Sequence, residues 1–189
     1  METLSARLAR FSAVAALLIA AFGALPAAAQ RMEATEGSVK AAFLYKFLGY
    51  VDWPPSAFPS PDAPFAIGVI GNDEIAAEVA KVTAGRQVNG HPVVVKRARE
   101  GEPLRGMHVV FVGRGAADRL STLIRAAQQP ALLIVTETER GLEAGSAINF
   151  VMAEDRVGFE VSLDAAERNG LKISSRMLGV ARRVLPKGS

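Results

Sequence analysis

The 189-residue chain contains no cysteine. It therefore cannot form a disulfide, hold a metal through thiolates or sense redox state through a thiol, and its stability has to come from the core alone. Histidine is almost as scarce: the chain has only His91 and His108, and they lack the spacing of a paired-histidine metal motif. No apolar run beyond residue 29 is long enough to cross a bilayer. Basic residues exceed acidic ones, 22 against 19, but the arginines are scattered. The concentrated basic stripe that nucleic acid requires is missing. No Gly-x-Ser-x-Gly elbow occurs, nor a Ser-x-x-Lys pair beyond residue 29. No metal, cofactor or catalytic set is expected from this inventory.

What the chain does have begins at its N-terminus. Arg7 and Arg10 precede an apolar run from Phe11 to Leu25, which Pro26 breaks. Ala27, Ala28 and Ala29 then supply the small residues read by a signal peptidase. This order predicts a secretory signal cleaved near Ala29. The run is shorter than the roughly 20 residues of a spanning helix, and no cysteine stands near the cleavage site to carry a lipid. Residues 30–37 read as a flexible lead-in, and 38–185 as one domain of ordinary size. Loss of Glu2, Arg7 and Arg10 would lower the net charge of +3 by one.

Hydrophobic periodicity predicts a helix over 38–52, with Val39, Phe43, Phe47 and Tyr50 recurring on one face. Pro54 stops it, because the residue before a proline avoids helical geometry. Strands are expected at 65–70, 93–97, 109–112 and 132–135. Helices are expected from Asn72 or Asp73 to about Thr83 and over 116–128. Residues 88–92 carry turn chemistry, and Gly141 and Gly145 mark a loop. Residues 147–152 and 157–163 read as a hairpin turning at 153–156. A short helix capped by Asp164 ends at Gly170, and a last helix, capped by Ser174 or Ser175, runs over 176–185. Strands alternating with helices predict an α/β fold. Its sheet is mainly parallel and flanked by helices, with a late antiparallel β-hairpin and a C-terminal helix.

Gly113-Arg114-Gly115-Ala116-Ala117-Asp118 follows a strand and opens a helix, as a dinucleotide fingerprint does. Asp118 occupies the third glycine position, where a carboxylate would repel phosphate, so the stretch reads as a tight turn. Two other features point to binding. Both tyrosines and the single tryptophan fall between Phe43 and Phe58. Phe43 and Phe47 suit a core. Tyr50, Trp53 and Phe58 sit at and beyond the helix exit, where amphipathic rings serve interfaces, and are the candidate partner-binding residues. The C-terminal region is basic, with Lys172, Arg176, Arg182, Arg183 and Lys187. A helix dipole would account for Arg182 and Arg183 in a last turn. It does not account for Lys172 and Arg176 before and at a helix start, which makes them candidate ligands for an anion or an acidic partner.

Three stretches resemble the YfiR-like family of periplasmic proteins. One is Val39 to Phe47 with Trp53-Pro54. Another is Gly141 to Phe150 followed by Arg156 to Val161. The third is Gly170 to Leu178. They stand in the family's order and span most of the chain. The resemblance implies an α/β fold, commonly dimeric. It implies a regulator that binds the periplasmic domain of an inner-membrane diguanylate cyclase and holds it inactive, until an outer-membrane lipoprotein sequesters the regulator. A periplasmic sensor of a small anionic molecule is the alternative. Family members often carry disulfides. Here the loop from Gly141 to Asn149 has to hold its shape without one.

Overall fold

Thr35 caps the first helix of the described residues, its hydroxyl accepting the Ser38 N–H. The computed structural model describes residues 35–186 and 188, apart from 100 and 128. The expected signal sequence, most of the lead-in, and Lys187 lie outside the described residues. Helix α1 (Glu36–Tyr50) buries Lys40, Ala41, Leu44, Phe47 and Leu48. It is turned relative to the expected face, so Phe43 is half-buried and Tyr50 exposed.

The remaining elements follow in order. They are β1 (Val51–Asp52), a 3-10 turn (Pro55–Ala57), β2 (Phe65–Ile70), α2 (Asp73–Thr83), β3 (Gln87–Val88), β4 (His91–Arg97) and β5 (Val109–Val112). A 3-10 stretch (Arg114–Arg119) then leads into α3 (Leu120–Ala126). After it come β6 (Leu133–Thr136), α4 (Gly141–Ala144), β7 (Ile148–Ala153), β8 (Arg156–Ser162), α5 (Leu163–Arg168), β9 (Lys172–Ile173), α6 (Ser175–Leu178) and β10 (Arg183–Leu185).

One eight-stranded sheet runs in the order β10-β8-β7-β6-β5-β2-β4-β3. Its central strands are parallel: β4 and β5 both pair with β2, then β6 with β5 and β7 with β6. β2 and β5, at the centre, are apolar and buried throughout because helices cover both faces. Alternation along each strand divides the core. Ile67, Val69, Val109, Phe111, Leu133 and Val135 face α1 and α2, while Ile70, Val110, Val112, Leu132 and Ile134 face α3.

Two hairpins are set by their turns. Asn89 and Gly90 both take positive φ between β3 and β4, and Glu154 and Asp155 do so between β7 and β8. Positive φ at both central residues is the type I′ geometry that matches strand twist.

Several boundaries differ from the sequence reading. The 116–128 helix begins as a 3-10 stretch with a kink at Ala116. Gly141 and Gly145 bracket a helical turn instead of a loop, Gly145 ending it with φ of 108°. Ser162, not Asp164, caps α5. The C-terminal helix is present and capped by Ser174, but it ends at Leu178. Residues 183–185 instead form β10, a strand parallel to β8. The helix dipole therefore has no part in holding Arg182 and Arg183. Arg183 grips Glu160 with two hydrogen bonds of 2.9 Å, and the Arg182 side chain lies over Gly158.

Candidate binding groove and the sheet crevice

Tyr50 closes α1 beside α6, and the two elements leave a groove of about 330 Å3 between them and β8. Phe43, Phe47, Phe159 and Met177 make it apolar, while Lys46 and Arg176 bring cations to it. Phe43 and Phe47 come one helical turn apart, and both meet Phe159 edge-on at 5.3 and 5.2 Å. Val180 at 68% and Tyr50 at 39% exposure also line it, two of the four large apolar residues that stand out from the described surface. An apolar floor with cations at its margin suits a segment that is apolar in its middle and acidic at its edge.

The structure thus brings together Tyr50 and Arg176, which the sequence had offered separately. The other candidates lie elsewhere. Lys172 is exposed in β9, opposite Asp52 of β1. Trp53 is half-buried, donates from its indole N–H to the Leu48 carbonyl at 2.9 Å, and packs edge-on against Phe65.

Phe58 stacks on His91 with ring centroids 4.1 Å apart, and lies 4.7 Å from His108. Both histidines of the chain thus flank one ring. His91 Nδ1–H donates to the Ala63 carbonyl at 2.7 Å. His108 Nδ1 accepts the Ala66 N–H at 3.2 Å, which leaves the proton on Nε2. That Nε2–H faces the Ala57 carbonyl without reaching hydrogen-bond geometry. Burial pushes His108 below the ordinary imidazole range, the Ala57 carbonyl opposes this, and neighbouring His91 adds to it.

In a doubly wound sheet of this strand order, ligands usually bind at the carboxyl edge where the order reverses. Here that point lies between β2 and β5, where the chain's own side chains meet beside a cavity of about 640 Å3 that Arg114, Glu137 and Asn149 help to line. Glu137, just past β6, accepts from Lys40 Nζ at 2.5 Å, from Asn72 Nδ2 at 3.2 Å and from the Arg114 N–H at 3.1 Å. Lys40 also pairs with Glu36. This contact with Lys40 is the main reason the Glu36 carboxyl lies below the usual carboxylate range.

The glycines of the fingerprint-like stretch serve packing. A Cβ on Gly113 would lie 2.7 Å from Asn72 Cβ, and one on Gly115 2.6 Å from the Gly71 carbonyl. Sequence reasoning missed Lys40 and Glu137. The available signal was a lysine on the apolar face of a helix, four residues after a glutamate.

The loop from Gly141 to Asn149 is held without a bridge. Thr136 Oγ1 donates to Asn149 Oδ1 at 2.8 Å and accepts from Ser146 Oγ at 2.9 Å. Asn149 Oδ1 also accepts the Thr138 N–H.

The YfiR/HmsC-like family model matches residues 37–182. The chain belongs to the YfiR/HmsC-like family. That family is one of periplasmic regulators. No curated protein matches the chain. Among solved structures it is similar to a crystal structure of a conserved domain protein from Vibrio cholerae O1 biovar El Tor, strain N16961. The likeness has a TM-score of 0.52 at 14% identity and covers 80% of this chain, which spans 60% of that protein's length. It shows a shared fold. No helix among the described residues is long and apolar enough to cross a membrane.

Proposed function

We propose that this YfiR/HmsC-like chain is a non-catalytic periplasmic repressor. In this reading, residues 1–29 direct export and are removed, and 38–185 act as one domain. The domain works as a homodimer that docks on the periplasmic part of an inner-membrane diguanylate cyclase and holds it inactive. An outer-membrane lipoprotein would release the block by sequestering the regulator.

The observation that carries the proposal is the meeting of Tyr50 and Arg176 in one exposed groove, in a chain whose family match spans 37–182. Docking can repress only through unequal affinity for the active and inactive cyclase. Turning such a switch from nearly all on to nearly all off takes about 5.5 kcal/mol of that difference.

The test is cellular cyclic di-GMP in the source organism. Deletion of the gene should raise it, and restoration should lower it again. A copy lacking residues 1–29, or one carrying Tyr50→Ala with Arg176→Glu, should fail to restore while the purified double variant keeps the parent melting temperature. Unchanged cyclic di-GMP on deletion, with the protein demonstrably made, would overturn the reading.

A further inference from the structure

β4 lies one strand from the end of the sheet, and its cover is incomplete. The outermost strand, β3, pairs only Val88 with His91 and Gln87 with Pro92. Beyond that hairpin, β4 continues through Val93, Val94, Val95, Lys96 and Arg97.

Hydrogen bonding along β4 follows parallel geometry. The Ala98 N–H donates to the Val69 carbonyl, and the register sets Lys96 beside Gly68 and Val94 beside Ala66. The even-numbered residues therefore direct their backbone groups at β2. Those of Val93, Val95 and Arg97 point the other way. Among the described residues nothing pairs with these three. A run of unpaired backbone donors and acceptors on β-branched residues is a template for another strand.

The side chains say which strand. Lys96 and Arg97 are exposed, and Arg99 follows just beyond. Arg97 stands 3.8 Å from Asp73, with 66% and 87% of the two side chains exposed, a screened pair of little strength. Glu102 accepts from the Arg99 backbone N–H and not from its guanidinium. The open edge thus ends in a cationic patch beside exposed Val94.

A second copy fits poorly. Antiparallel pairing about Val95 would set the two Lys96 side chains at diagonal positions of one face, about 7–8 Å apart. An acidic strand places carboxylates there instead. Lys96 acts as a selective guard: it opposes self-pairing and favours a partner of opposite charge.

We propose that the open edge of β4, from Val93 to Arg97, is a docking site for an extended acidic strand of a partner protein, added antiparallel to the sheet. This surface is separate from the Tyr50–Arg176 groove, and the proposal stands whether or not that groove represses a cyclase.

The test is a backbone-amide titration of the isotope-labelled protein with a short peptide alternating Glu with Val, and with its Lys-for-Glu counterpart. The Glu–Val peptide should shift the Val93, Val95 and Arg97 amides selectively, and the Lys–Val peptide should not. Val95→Pro removes an outward N–H without touching the ladder to β2, and should weaken binding by about tenfold or more. The double variant Lys96→Glu, Arg97→Glu should do the same while leaving the backbone intact, so it decides the matter if Val95→Pro fails to fold. Absence of β4 shifts with the Glu–Val peptide would overturn the proposal, as would an equal response to the Lys–Val peptide. Concentration-dependent self-association through these amides would also overturn it, by assigning the edge to a second copy.

Discussion

Lys40 carries its ammonium group into the interior because a carboxylate waits on either side of it. Its stem packs within the apolar row of α1, Nζ lies 6.0 Å from the centre of the Phe150 ring, and Glu137 is as deeply buried as Lys40 itself. Such a pair adds little beyond an apolar substitute, but splitting it strands a charge. Lys40→Met should therefore cost about 3 kcal/mol in denaturant unfolding, and Lys40→Met with Glu137→Gln should recover most of that loss.

His108 makes a second prediction. Folding holds its pKa below the 6.5 of the free side chain, so below pH 6.5 the unfolded chain binds a proton that the folded chain does not. This contribution to stability is whole above pH 6.5. It is lost as the pH falls toward the folded pKa, at up to about 1.4 kcal/mol per pH unit. Protonation would also abolish the acceptor that Nδ1 offers Ala66. His108→Asn, which keeps an acceptor and cannot titrate, should flatten this slope in urea melts run between pH 7 and pH 5.

Elements with local causes were legible, and elements with distant causes were not. The strand from Phe65 to Ile70, the Asn72-capped helix and the hairpin before Arg156 each follow from neighbours in sequence. β10 does not. Its three residues are a strand only because β8 lies beside them and Glu160 meets Arg183, and their spacing serves a helix equally well. The same reason hid half of the candidate site. Tyr50 and Arg176 could each be singled out, but their meeting depends on how α6 packs.

The turn α4 shows the converse, a local signal with a tertiary purpose. Gly141 is glycine because any Cβ there would collide with Thr136 Oγ1 and Asn149 Oδ1. Gly141→Ala should force that hydrogen-bonded set apart and destabilise the protein by about 1–3 kcal/mol. The β7 amides should show the change first in hydrogen exchange.

At the scale of the whole molecule, α1 belongs to the far end of the chain. Lys40 meets Glu137 across 97 residues of sequence, and Phe43 and Phe47 rest on Phe150 and Phe159. Contacts of such separation make for slow folding. A chain ending at Asp155 keeps β2, β4, β5 and β6 but lacks β8, and should give no cooperative thermal transition by near-UV circular dichroism. Helix α1, made well before its partners, is thus among the last elements to find its place. A polypeptide built this way stays open until its synthesis is nearly done, and that delay is what the export proposed for this chain would need, since a translocation machinery threads only an unfolded chain.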